Sequence, residues 1–210
     1  MGQIAIDKSI SLDGFITGPD PGKDQPLGVG GEAIFGWMMA EQPENPPEDG
    51  TRPQSEAWEE EIAGHLPTTG AVIMGKRMWE MIESPNGWVA PDGTPFPWPV
   101  FVLTHEVRQP ETLGLTRVTY INEGPERALE LAREIAGNKD IGIAGANVCQ
   151  QFLSLRLVDT IVLHQVPVFL GGGVRLFDNL GQDGNDYVCV SARRGNGVTH
   201  LTYARRPDAA

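Results

Sequence analysis

The sequence predicts an α/β fold: a mainly parallel central sheet flanked by helices and finished by an antiparallel hairpin. Three observations predict it. Short apolar runs alternate with amphipathic stretches along most of the chain, and two of these runs lead into a glycine that opens a helix. The last two β-like segments, residues 187–193 and 198–203, flank a Gly195-Asn196-Gly197 turn. A length of 210 residues suits one domain, expected over 1–205 with a short tail over 206–210, and is small for two.

Taken in order, Ile4 and Ile6, then Ile10 and Leu12, alternate with polar neighbours and predict an opening strand that turns at Asp13-Gly14. Residues 17–31 are rich in Gly and Pro and read as a loop, whereas 32–40 carry Ile34, Phe35, Trp37 and Met38 at helical spacing. Residues 41–54 are acidic, contain Pro43, Pro46, Pro47 and Pro53, and read as a surface excursion. Ser55 can cap a helix that presents Trp58, Ile62 and Leu66 on one face before Pro67 stops it. A buried strand at 71–74 then meets Gly75, which opens a short helix containing Met78, Trp79 and Met81. A Pro- and Trp-rich loop over 84–99 leads to strands at 100–103 and 117–121, and Pro125 starts an amphipathic helix that ends near Gly137. A strand at 141–143, a helix opening at Ala146-Asn147 with Phe152 and Leu153 inward, and a strand-like stretch at 160–170 around Pro167 complete the alternation.

Composition excludes several function classes. A formal net charge of -12 repels polynucleotides and anionic membranes, although a local basic pocket can still hold phosphate. The two cysteines, Cys149 and Cys189, form no C-x-x-C pair, and no signal pattern opens the chain; a reducing cytoplasm is the expected compartment. No apolar run approaches a bilayer span. With 26 Gly and 17 Pro, loops are expected to carry much of the site.

Ligands of such sheets gather at the carboxyl ends of the strands, which places Gly75, Thr104-His105 and Gly145 on one rim. Gly70 to Lys76 matches G-x-x-x-x-G-K, but the four intervening residues are the strand itself and Arg77 stands where a magnesium-binding Ser or Thr belongs, so a triphosphate loop is rejected. Gly28-Val29-Gly30-Gly31 has the count of a dinucleotide fingerprint without the preceding strand. His65, His105, His164 and His200 lack metal-ligand spacing, and no metal is expected. Gly75-Lys76-Arg77 is more informative, because a helix that begins after a strand offers free amides and two cations to a phosphate. Gly145-Ala146-Asn147 offers a second such turn, where small residues let a diphosphate approach the backbone. Each turn alone reads as an ordinary helix start; their conjunction points to an elongated anionic ligand.

Residues 72–80, Val-Ile-Met-Gly-Lys-Arg-Met-Trp-Glu, resemble the strand-to-helix motif of dihydrofolate reductase, and residues 144–153 resemble that family's glycine-rich diphosphate turn and following helix. Ser11-Leu12-Asp13-Gly14, Leu157-Val158-Asp159 and the stretch from Val166-Pro167 to Gly171-Gly172-Gly173 resemble the reductase domain of riboflavin biosynthesis, in the manner of a stand-alone bacterial deaminase-reductase-like protein. The resemblance implies a dihydrofolate reductase-like fold, NADPH as cofactor and a homodimer. By matched position it sets Gly75, Lys76 and Arg77 against cofactor phosphate and Thr104 and His105 against the 2′-phosphate. Gly145, Ala146, Asn147 and Val148 fall to the diphosphate, and Ser9, Ile16 and Gly18 to the nicotinamide. Three departures stand out: Met78 replaces a Thr, His105 replaces a common Arg, and Ile143 replaces the Glu that usually precedes the glycine turn of the riboflavin reductases. No zinc-deaminase signature occurs in the sequence.

The implied activity is hydride transfer to a C=N or C=O bond of a small pterin- or pyrimidine-like heterocycle, with water as a sufficient proton source. Candidate catalytic residues are Glu59, which ungapped counting brings to the position of the pterin-binding carboxylate, and Asp13. Against them, charged residues on a helix usually form its solvated face, and Asp-Gly is first of all turn chemistry. Cys149 has no paired His and reads as a small buried hydrophobe. Trp88, Phe96 and Trp98 either roof a flat substrate or anchor their loop to the core, and the acidic stretch at 41–54 is a candidate cover for the site. A non-catalytic dinucleotide-binding or sensor protein, or an enzyme of another phosphorylated ligand, is the alternative on the same scaffold.

Overall fold

The structure, a computed structural model, describes residues 2–38, 64, 67–90, 93–181, 186–195 and 197–206. The expected helix begun by Ser55 and the acidic stretch at 41–54 lie outside the described residues.

Strand β1 (Ile4–Ser11) runs through the middle of a nine-stranded sheet and pairs in parallel with β7 (Asp140–Ala144) on one side and β8 (Thr160–Val166) on the other. Beyond β7, parallel pairing continues through β3 (Thr69–Gly75), β4 (Val100–Leu103) and β6 (Thr116–Ile121), and β5 (Glu111–Leu113) closes that edge antiparallel. On the other side β8 pairs antiparallel with β11 (Val198–Arg205), which pairs with β10 (Tyr187–Gly195). The predicted fold class is thus the observed one. β8 stops at Val166 rather than running to residue 170, because Pro167 has no amide to continue the ladder.

Helix α1 (Lys76–Ile82) follows β3, α2 (Pro125–Ala136) follows β6, and α3 (Ala146–Ser154) follows β7. Each turns an apolar stripe to the sheet. In α2, Ala128, Leu129, Ala132 and Ala136 are buried at three- and four-residue intervals; in α3, Phe152 is fully buried, and withdrawing a side chain of that kind from water is worth ~1.5–3 kcal/mol.

The segment expected to be α-helical at 32–40 is instead a 3₁₀ helix, Gly31–Met38. Its buried residues, Gly31, Ile34 and Trp37, recur every three positions, the period of a 3₁₀ turn, so a single narrow ridge packs against Val166 and Val198. Two short strands that the sequence pattern does not reveal, β2 (Phe15–Thr17) and β9 (Val174–Arg175), pair with each other outside the main sheet.

Candidate active site

The carboxyl ends of β4, β3 and β7, together with β1, line one cavity of about 750 Å³. Of the predicted cofactor residues, Gly75, Lys76 and Arg77 reach it from the β3 turn, Thr104 and His105 from the end of β4, and Gly145, Ala146, Asn147 and Val148 from the β7 turn. Ser9 and Ile16 close its far side.

The two glycine turns lie side by side, and at Gly145 it is the backbone conformation rather than the space that calls for glycine. Gly145 adopts φ +82, in the left-handed region, and a Cβ there would stand 3.6 Å from Met78 and 3.8 Å from the Gly75 amide. No side chain caps α3, so its first-turn amides face the cavity wall with the partial positive charge of a helix start. Asn147 is held by Gln151, whose Nε2 donates to Asn147 Oδ1 over 2.6 Å.

Lys76 is not a bare cation. Its ammonium donates to Glu106 and lies 3.5 Å from Glu80, and the Glu106 hydrogen bond raises the Lys76 pKa while the same bond lowers that of Glu106. Arg77 is exposed, and its guanidinium reaches the Pro21 carbonyl over 3.3 Å.

Gly18 falls outside the cavity wall. Its amide donates to the Leu27 carbonyl over 2.8 Å, and a Cβ there would lie 2.0 Å from the Val29 carbonyl oxygen, so this glycine lets two loop segments touch. Asp13, a candidate catalytic residue, is occupied as a turn clamp. Its carboxylate accepts from the Ser11 hydroxyl at 2.6 Å and from the amides of Leu170 and Gly171 at 3.2 and 2.7 Å. The Ser11 bond first, then the two amides, hold its pKa down at about 2. Glu59 lies outside the described residues.

Trp88, Phe96 and Trp98 do not line the cavity; they pack on one another, Phe96 and Trp98 stacked with centroids 4.9 Å apart and Trp88 tilted against both, and join the core formed by β3, β4 and α1. Of the two readings, anchoring the loop is the one observed. Cys149 is fully buried beneath the β7 turn, and burial pushes its thiol up to about 11, which removes it as a nucleophile.

Several lining residues escape sequence reasoning. Asn122 and Gly124 extend the rim at the end of β6, and Glu106 follows the two β4 residues that were expected. The strand-end rule that selects Gly75 and Gly145 applies equally to Asn122 and was available for it. Asp7 and Lys8 in β1, and Phe35 and Met38 of the 3₁₀ helix, carry no motif.

The sequence model of the RibD C-terminal domain family matches residues 3–200. The chain belongs to that family. A Shewanella sp. PV-4 protein ascribed to riboflavin biosynthesis shares the fold at 21% identity and a TM-score of 0.66, over 98% of this chain and 99% of that one. The Thermotoga maritima diaminohydroxyphosphoribosylaminopyrimidine deaminase/5-amino-6-(5-phosphoribosylamino)uracil reductase matches at 12% identity and a TM-score of 0.60, and this RibD-type chain, 97% of it matched, spans 56% of that protein. Dihydrofolate reductase from Enterococcus faecalis, complexed with NADP(H), matches at 14% identity and a TM-score of 0.59 over 98% of both chains. No curated protein sequence matches. Among the described residues no helix is long and apolar enough to cross a membrane.

Proposed function

We propose that this RibD-type chain is a reductase that holds NADPH across the ends of β4, β3 and β7 and reduces a C=N or C=O bond in a small heterocycle. The observation that carries the reading is the convergence of three separate turns on one cavity. Lys76 and Arg77, Thr104 and His105, and the uncapped α3 amides all line it, while Ser9 and Ile16 lie on its β1 side. The donor set fits an elongated dinucleotide: cations and a helix start for phosphate, an open glycine turn for close backbone approach, and apolar wall for a ring. When bound, the dihydronicotinamide supplies hydride; the chain supplies orientation and exclusion of water.

Calorimetric titration with NADPH and NADH, followed by amide NMR, tests the reading. NADPH is expected to saturate the protein and to move the amides of Lys76, Arg77 and residues 145–148. Oxidation of the bound dinucleotide is then followed with dihydrofolate and with 5-amino-6-(5-phosphoribosylamino)uracil as acceptors. Binding with no oxidation across pterin, pyrimidine and flavin-like acceptors would replace the reductase with a dinucleotide-binding protein; no binding at all removes both.

A further inference from the structure

The register of three strands builds a polar row at the β1 end of the cavity. Ser9 of β1 pairs with His164 of β8, and His164 pairs with His200 of β11, so the three share one face of the sheet, and Asp7, two residues before Ser9, joins them. The side chains are bonded in sequence. Asp7 Oδ1 lies 3.0 Å from His164 Nε2, and His164 Nδ1 lies 2.6 Å from His200 Nδ1. The Trp37 ring covers both imidazoles, with centroids 4.7 and 5.4 Å away, and its indole N–H donates to Ser9 Oγ over 3.0 Å.

The three members differ in access to water. Asp7 lines the cavity and its side chain is 33% exposed, His164 is 1% exposed, and His200 is half-buried beside the Gly195 turn. A carboxylate at Asp7 requires the hydrogen of His164 on Nε2. A neutral His164 then has a lone pair at Nδ1, and His200 Nδ1–H donates to it. Both nitrogens of His164 are thereby used in opposite directions, which suits proton passage and prevents Asp7 and His200 from converging on a metal; among the described residues no group of three ligands does so.

We propose that Asp7, His164 and His200 form a proton line from solvent into the cavity, with Asp7 as the acid that protonates the substrate. This rests on the reductase reading above. As hydride from the reduced dinucleotide forms the new C–H bond, the Asp7 O–H bond breaks and its proton forms the N–H or O–H bond of the reduced product. That O–H is formed beforehand from the resting carboxylate: solvent protonates His200, the His200 Nδ1 proton passes to His164 Nδ1, and the His164 Nε2 proton passes to Asp7. One hydride and one proton are consumed per double bond; each passage leaves the His164 hydrogen on Nδ1, and its exchange back to Nε2 resets the line for the next turnover. The Lys8 ammonium donates to the Asp7 backbone carbonyl over 2.6 Å.

Two measurements on the full chain test this. With ¹⁵N-labelled histidine and saturating NADPH, the ring nitrogens of His164 are expected to show the hydrogen on Nε2, and Asp7→Asn is expected to move the Nε2 resonance. Reduction of dihydrofolate by NADPH is expected to fall about 100-fold in Asp7→Asn with NADPH affinity retained, and His200→Gln is expected to displace the pH profile of the rate. A His164 ring-nitrogen signature unmoved by Asp7→Asn overturns the line, as does an Asp7→Asn enzyme with the wild-type rate and profile. If the wild type oxidises NADPH with none of the pterin, pyrimidine and flavin-like acceptors, the reductase reading and the acid role of Asp7 fall together, while the ring-nitrogen signatures still decide whether the three groups share a proton.

Discussion

At the β4 end of the cavity Lys76 pairs with Glu80 and Glu106 across open surface, whereas at the β1 end Asp7 meets a histidine whose side chain is 1% exposed. An exposed ion pair is screened by water and salt and contributes little to stability, so its cation can be exchanged for a ligand phosphate at small cost. A contact to a buried ring behaves oppositely. His164 has already lost its hydration, so a hydrogen-bond partner taken from it is not replaced by water at small cost. One end of the cavity is therefore built to be rearranged by a ligand and the other to remain as it folds.

Removing His164 gives the largest expected effect on that contrast. His164→Ala leaves Asp7 and His200 without their shared partner and opens space under Trp37, and it is expected to cost ~2–4 kcal/mol in a urea unfolding experiment. Lys76→Ala is expected to leave the urea midpoint in place. Equal losses in the two variants would show that the two ends are held alike.

Glu106→Gln is expected to have a smaller effect, and on binding rather than folding. Its carboxylate competes with an incoming phosphate for Lys76, so the variant is expected to bind NADPH about two- to fivefold more tightly by calorimetry. The gain shrinks as salt is raised, because the pair is exposed. NADH, which lacks the 2′-phosphate, is expected to gain less. Identical gains for the two dinucleotides would move the 2′-phosphate away from the Lys76–Glu106 pair.

The difference between the two ends also explains what the sequence makes legible. The β4 and β7 turns are readable because strand, glycine and helix follow one another within a few residues, and each turn carries its chemistry locally. The core is readable for the same reason, as Cys149 illustrates: an apolar neighbourhood on an inward helix face predicts a buried, inert thiol. The Asp7–His164–His200 row has no local signature. Its members are separated by 157 and 36 residues and meet only through strand register, which no single segment encodes. Glu106 was within reach, one residue beyond His105, but its pairing with Lys76 depends on the parallel alignment of β3 with β4. The 3₁₀ helix reads as an α-helix in sequence because Phe35 and Met38 widen the apolar face to α-helical breadth; they border the cavity, whereas the three-residue ridge is what packs.

Asp13 supplies the finest test, since it lies next to the site without belonging to it. Its carboxyl is held at about 2 against an ordinary value of 3.8, chiefly by the Ser11 hydroxyl and then by the Gly171 and Leu170 amides. A folded-state value below the unfolded one means that the unfolded chain takes up the proton first as acid is added. The stabilisation is therefore complete above about pH 4 and is lost as pH falls toward about 2. In Asp13→Asn that part of the acid slope of unfolding stability disappears, because no proton can be taken up there, and the midpoint at neutral pH falls through the lost hydrogen bonds to residues 170 and 171. Dinucleotide affinity is expected to stay within twofold of wild type, as a change in a turn clamp alone would leave it. A large loss of affinity with an unchanged acid slope would return Asp13 to the cavity and make the clamp incidental.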